Sequence, residues 1–263
     1  MSMASGPAPS FLAPEEVREL NGRFADSPPQ DVLAWALERF HPRLALASSF
    51  GAEDVVLIDM LASLHPAAKV VSLDTLRLHT ETYAVIDSLR ARYGIDVDIL
   101  FPDLPAVSAM VREQGYNCFY QSVDNRKLCC GIRKVEPLNR ALAGLDAWIT
   151  GLRRDQASTR EATPKVELDD VHGGIVKLNP LADWSSEQVW AYIRANDVPY
   201  NALHDQGFPS IGCAPCTRAI APGEDPRAGR WWWEQDPQAK ECGIHVGYDL
   251  ANVGFSLNPA SPE

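Results

Sequence analysis

The sequence predicts an α/β domain built on a mostly parallel sheet with helices on both faces, followed by an irregular C-terminal extension. Three observations carry this reading. Short apolar runs alternate with longer stretches of helical spacing. Several of the runs end in a loop of small or polar residues. After about Asn201 the alternation gives way to Pro, Gly and charged residues, interrupted by Trp231-Trp232-Trp233.

Taken in order, residues 1–13 begin with a Ser, Ala, Gly and Pro stretch that reads as a disordered tail, and the main domain is expected over 14–220. Pro14 to Phe24 and Asp31 to Phe40 carry apolar residues at helical spacing. Arg43 to Ser48 is a short apolar strand, followed by a helix from about Glu53 to Leu64. Lys69 to Leu73 is a second strand and His79 to Tyr93 a helix. Ile95 to Leu100 is the third strand. Pro105 to Glu113 and Arg126 to Leu142 read as helices, and Asp146 to Gly151 as the fourth strand. Gly174 to Asn179 is a candidate fifth strand. Ser185 and Gln188 have the spacing of a capping box and open a helix reaching about Ala195. Residues 221–263 are expected to form a mobile tail.

The chain has 263 residues, 46% of them hydrophobic, enough to bury a full core. Its formal net charge of −11 repels nucleic acid and anionic membranes, so neither is an expected partner. The first ten residues lack the basic start and apolar run of a signal peptide. No stretch approaches the roughly 20 apolar residues that span a bilayer. The expected location is the cytoplasm, where clustered cysteines point to metal or catalysis rather than to disulfides.

In sheets of this kind ligands bind beyond the C-terminal ends of the strands. The first strand delivers Ser48-Ser49-Phe50-Gly51-Ala52-Glu53-Asp54 to that edge, and the second delivers Ser72-Leu73-Asp74-Thr75. Small residues before a helix N-terminus let backbone N–H groups approach an anion. The loop lacks the Gly-Lys-Ser/Thr ending of a Walker A motif and the G-x-G-x-x-G dinucleotide fingerprint, so on its own it also fits an ordinary strand-to-helix turn.

Five of the six cysteines form a pattern that packing does not explain: adjacent Cys129 and Cys130, the C-x-x-C pair Cys213 and Cys216, and Cys242 alone near the C-terminus. Four sulfurs in two pairs suit zinc or an iron–sulfur cluster. Adjacent side chains on a helix diverge by about 100°, which strains the approach of both to one ion but suits separate irons. The pattern therefore favours a [4Fe–4S] cluster over zinc. Cys118, with no partner at ligand spacing, reads as a small packing residue. Cys242 lies between Lys240 and His245, which favour a thiolate, with Glu241 acting against it. His245 itself reads as a polar tail residue. Candidate anion-binding cations are Arg133, Lys134, Arg153, Arg154, Arg160, Arg218, Arg227 and Arg230, any one of which could equally be a solvated surface charge. Lys134 stands one helical turn from Cys130, where its ammonium could lie between a metal centre and a substrate.

These residues resemble a known family. SSFGAEDVVLIDM (48–60), SLDTLRLHTETY (72–83), CCGIRKVEPLNRAL (129–142), TGLRRDQ (150–156), PYNALHDQGFPSIGCAPCTRAI (199–220), GRWWWE (229–234) and KECGIHV (240–246) resemble, in order, the motifs of the assimilatory adenosine 5′-phosphosulfate (APS) reductases. These are the iron–sulfur branch of the phosphosulfate reductases. The resemblance implies an adenine nucleotide alpha-hydrolase-like fold with a modified PP-loop. It implies a [4Fe–4S] cluster on Cys129, Cys130, Cys213 and Cys216. It further implies that Cys242 attacks the sulfur of APS to give an S-sulfocysteine and AMP, and that reduced thioredoxin then releases sulfite. By motif position, Lys134, Arg160, Arg227 and Arg230 would hold the phosphosulfate, with Ser48 and Ser49 beside it. The alternatives are a reductase of the 3′-phosphorylated substrate (PAPS) or of both, a PP-loop ATP pyrophosphatase, and a non-catalytic zinc protein. Two features depart from the family: the loop from Ala157 to Arg160 is about one residue shorter than the common SPGTR form, and Leu76 stands where LDTGRL has Gly. If that position needs a left-handed backbone, Leu76 stores strain; if it lies against the nucleotide, Leu76 narrows the pocket.

Overall fold

The computed structural model describes residues 12–235 and 243–246. Two helices, α1 (Pro14–Phe24) and α2 (Pro29–Phe40), precede an alternating series: β1 (Leu44–Ser48), α3 (Ala52–Leu64), β2 (Lys69–Leu73), α4 (Thr80–Tyr93), β3 (Val97–Leu100) and α5 (Leu104–Gln114). The chain continues through α6 (Val123–Cys130), a π-helical turn (Gly131–Val135), α7 (Glu136–Leu142), β4 (Ala147–Ile149), β5 (Val166–Asp169), β6 (Ile175–Leu178) and α8 (Ser186–Ala195). A four-residue helix, α9 (Gly243–Val246), ends the described chain. Among the described residues no helix is long and apolar enough to cross a membrane.

The strands form one six-stranded sheet in the order β3-β2-β1-β4-β6-β5, parallel except for the antiparallel β5–β6 pair. This is the expected α/β class. Alternation along the strands explains the two covered faces. Leu44 and Leu46 of β1, Val70 of β2, Ala147 and Ile149 of β4, and Val176 and Leu178 of β6 enter one apolar core with α1 to α4 and α8. Their neighbours Ala45, Val71, Trp148 and Ile175 face the other way, packing with Leu138 and Leu142 of α7. Helix α3 is apolar on nearly every side because it is buried between the sheet and its neighbours: Val55, Val56, Leu57 and Ile58 are all at most 1% exposed.

Two features depart from the expected elements. Strand β5 falls in a stretch that reads as a polar loop. It has four residues, with Glu and Asp alternating with Val and Leu, and it pairs only with β6 after the left-handed Gly173-Gly174 turn. The helix expected over Arg126 to Leu142 starts earlier, at Val123, where the Ser122 hydroxyl accepts from the Asn125 N–H. It is then interrupted by the π-helical turn immediately after Cys130, a widening often found at functional sites.

Part of the expected tails lies outside the described residues: 1–11, 236–242 and 247–263. Leu12 is buried in the core. From Ala221 to Gln235 the chain returns to the domain. Thr217 and Arg230 form an antiparallel bridge, and Trp231 is 1% exposed, with the guanidinium carbons of Arg126 and Arg230 each 4.8 Å from its ring centre. The Trp run thus anchors this part of the extension.

Leu76 has φ of 62°, in the left-handed region, with its N–H donated to Asp74 Oδ1 at 2.7 Å. Its side chain is 44% exposed and does not line the cavity described below, so it strains the turn without narrowing the site. A left-handed non-glycine residue costs roughly 1–2 kcal/mol, and glycine gives back roughly 0.5–1 kcal/mol through unfolded-chain entropy. Leu76→Gly is therefore expected to stabilise the protein by about 0.5–1 kcal/mol in equilibrium urea unfolding. A net loss would show that the leucine makes a compensating contact.

Candidate active site

The sheet order reverses at β1, with β2 on one side and β4 on the other, so the loops after β1 and β4 part and leave a crevice. In the first loop the Ser48 hydroxyl accepts from the Phe50 N–H at 3.0 Å, holding Phe50 fully buried at φ of 60°. The N–H and hydroxyl of Ser49 both donate to Asp54 Oδ2, at 2.6 and 2.9 Å. The β4 loop passes close by: a Cβ on Gly151 would lie 2.5 Å from Asp54 Oδ1, so only glycine fits without displacing that carboxylate.

Burial pushes the Asp54 carboxyl up to about 6; the charge of Glu53 adds to this, while the Ser49 hydrogen bonds oppose it. The folded protein thus holds this proton more tightly than the unfolded chain, whose ordinary value is 3.8. The contribution is complete below about pH 4 and is lost as pH rises through about 6, a difference on the order of 3 kcal/mol. Asp54→Asn should lack this component, so its urea-unfolding stability should change less than that of the parent between pH 4 and 7. Parallel pH curves would contradict the assignment.

The crevice opens into a cavity of about 410 Å³, the size range of a small-molecule site. Ser48, Ser49, Lys134, Arg160, Arg227 and Arg230 all line it, brought from β1, the π-helical turn, the loop after β4 and the C-terminal extension. Arg230 donates to the Ser210 hydroxyl at 3.1 Å, and its buried Nε has no hydrogen-bond partner among the described residues. It reaches the cavity over Gly212, where a Cβ would lie 2.5 Å from its Nη2. Other candidate cations are held by protein groups. Arg153 is paired with Glu53 at 2.9 Å and with Asp155, Arg154 donates to the Thr163 carbonyl at 2.9 Å, and Arg218 is paired with Glu224 at 3.1 Å. Arg133 donates to the Thr75 carbonyl at 2.7 Å.

A second, much smaller cavity is lined by Cys129, Cys130, Cys213 and Cys216 together with Arg77, Arg126, Arg133 and Lys134. Lys134 is the one described residue lining both cavities. All four cysteines are buried and unpaired by disulfides, and Thr75 Oγ1 lies 3.2 Å from Cys213 Sγ. Among the described residues no three His, Cys, Asp or Glu side chains are arranged around a single metal ion. Burial, reinforced by the neighbouring Cys213, pushes the Cys216 thiol up to about 12, while Lys134 and Arg230 act in the opposite direction. Cys118 is fully buried in the same apolar cluster, hydrogen-bonded to Cys129. Cys242 lies outside the described residues, but it directly precedes α9, whose Ile244 and His245 line the large cavity.

Residues 43–219 match the phosphoadenosine phosphosulfate reductase domain. The chain belongs to that family. The reductase is 52% identical over 216 residues to the adenosine 5′-phosphosulfate reductase of Burkholderia cepacia, covering 82% of this chain and 86% of the relative. Its fold is similar to that of a phosphoadenylyl-sulfate reductase from Candida auris, with a TM-score of 0.70 and 31% identity, over 81% of this chain and all of that one. It is also similar to an FMN adenylyltransferase from Candida glabrata, with a TM-score of 0.53 over 93% of this chain and 85% of that one. At 13% identity that likeness shows the shared fold alone.

Two histidines from the quoted motifs, His204 and His245, also line the cavity. His204 is held by its Nδ1 against the Phe208 carbonyl at 2.8 Å, and burial lowers its pKa. His245 stacks on Trp148, ring centres 6.0 Å apart and 17° from parallel. Burial first, then the charges of Lys177, Arg160, His172 and Arg227, hold its imidazole well below the ordinary histidine range, so His245 does not bring the positive charge expected to favour the Cys242 thiolate.

Proposed function

We propose that this protein reduces adenosine 5′-phosphosulfate to sulfite and AMP with electrons from a thioredoxin-like dithiol, using Cys242 as nucleophile. The observation that carries the reading is the single cavity lined by Ser48, Ser49, Lys134, Arg160, Arg227 and Arg230 and walled by the helix directly after Cys242. In a chain of net charge −11, this local concentration of cations suits a dianionic phosphosulfate. Relatives sharing about half their residues with this chain are named for the APS reaction, which favours the unphosphorylated nucleotide.

The Cys242 thiolate would attack the sulfate sulfur. The bond between that sulfur and the bridging oxygen breaks, and AMP leaves with the electron pair. Guanidinium groups offset the negative charge gathering on the departing phosphate oxygen. One thiolate of the dithiol then attacks the Cys242 sulfur, expelling sulfite. Its second thiol resolves the mixed disulfide, which regenerates Cys242 and leaves the dithiol oxidised by two electrons.

Cys129, Cys130, Cys213 and Cys216 would hold a [4Fe–4S] cluster. The fit rests on the donor set: four buried thiols, none in a disulfide, share one cavity with the cationic Arg77, Arg126, Arg133 and Lys134, which suits an anionic thiolate-ligated centre. A bound cluster would supply a fixed local charge rather than electrons, and Lys134, lining both cavities, is placed to couple that charge to the substrate.

Mass spectrometry of the protein mixed with APS and no reductant tests the proposal. A sulfonate adduct on Cys242 is the expected result. Its absence with turnover intact would overturn the mechanism, and faster turnover of PAPS than of APS would overturn the substrate.

A further inference from the structure

Trp148 lies between the large cavity, which it lines, and a buried pair of side chains on the β5–β6 hairpin. Its indole N–H donates to Asp169 Oδ2 at 2.9 Å. The same oxygen lies 2.8 Å from His172 Nδ1, whose imidazole is 1% exposed. Its ring meets Trp148 edge-on, with ring centres 5.4 Å apart. Among the described residues the buried His172 Nε2 has no hydrogen-bond partner. Helix α9 meets the same indole, with His245 stacked on it and Gly243 buried. A four-residue helix has almost no stability of its own, so its position must come from what it docks against.

We propose that Asp169, His172 and Trp148 form a platform that positions the segment after Cys242 and so sets the approach of that thiol to the cavity. None of the three is a catalytic residue. Asp169 fixes the Trp148 and His172 rings through one shared acceptor, and the locked indole offers α9 a flat surface. The inference rests on Cys242 being the nucleophile, but its test does not depend on turnover.

The alkylation rate of Cys242, mapped by mass spectrometry in the AMP-bound holoprotein, reads the docking directly. His172→Gln and His245→Gln should each raise it about tenfold, the effect of losing one contact of this kind. AMP affinity should stay unchanged in His172→Gln. The double variant should react no faster than either single one, because both break the same docking contact. Unchanged alkylation in His172→Gln, or multiplication to about a hundredfold in the double variant, would overturn the platform. Should the variants not fold, the unmodified protein still decides. A nuclear Overhauser contact between the Trp148 and His245 rings in the AMP complex is expected, and its absence would overturn the proposal.

Discussion

Replacement of Cys242 by serine is expected to abolish sulfite release from APS, lowering turnover by roughly four orders of magnitude or more. A serine hydroxyl is not ionised at neutral pH and no described side chain is assigned as its base, whereas a thiol keeps a reactive thiolate fraction of about a tenth one unit below its pKa. The loss should be confined to chemistry. Iron and acid-labile sulfide content and AMP affinity should match the parent, because Cys129, Cys130, Cys213 and Cys216 line a separate cavity. Stopped-flow assay of sulfite with the dithiol reductant in excess measures the effect. Substantial activity in Cys242→Ser would remove Cys242 from the mechanism.

The largest expected effect on stability comes from Glu234→Ala. Arg126 is fully buried, and its Nε and Nη2 donate to the two carboxylate oxygens of Glu234 at 2.9 and 3.0 Å. Removing the carboxylate takes two charge-assisted hydrogen bonds from a fully buried guanidinium, at a cost of roughly 3–5 kcal/mol. Arg126 packs on Trp231 and lines the cysteine cavity, so the variant should also lose iron more readily to a chelator. Equilibrium urea unfolding checks the first effect and the rate of iron release the second. The pair Arg126→Met with Glu234→Leu should recover much of the stability, because the penalty belongs to the broken pair. A loss below about 1 kcal/mol in Glu234→Ala would show that the ion pair is not what secures the extension.

The fold was legible where local pattern and tertiary packing agree. Buried parallel strands such as Leu44–Ser48 and Lys69–Leu73 are apolar runs between helices, and their period is a property of the residues themselves. Strand β5 was not legible because an edge strand of four residues with alternating charges needs its partner β6 to exist at all. The π-helical turn after Cys130 was not legible either. Its residues are compatible with continuous helix, and the widening arises where the cysteine-bearing segment must meet both the Cys213–Cys216 loop and Trp231. Leu76 is an intermediate case: its departure from glycine left a left-handed backbone and a close approach to the nucleotide both open, and φ of 62° decides for the first.

For the site, the sequence by itself determined the chemistry available: thiols in two pairs and one alone, small residues at a strand end, and more guanidinium groups than one anion can use. Residue type and short-range spacing carry that information. Only the tertiary structure shows which cations line one cavity. Arg154 and Arg218 are held away from it by the Thr163 carbonyl and Glu224, and Arg153 lines it while paired with Glu53; Lys134, Arg160, Arg227 and Arg230 line it from widely separated stretches of chain. The physical reason is that a charge acts through its distance and its desolvation, and both are set by the reversal of strand order at β1 and by the burial of the Arg126–Glu234 pair that returns the C-terminal extension to the sheet.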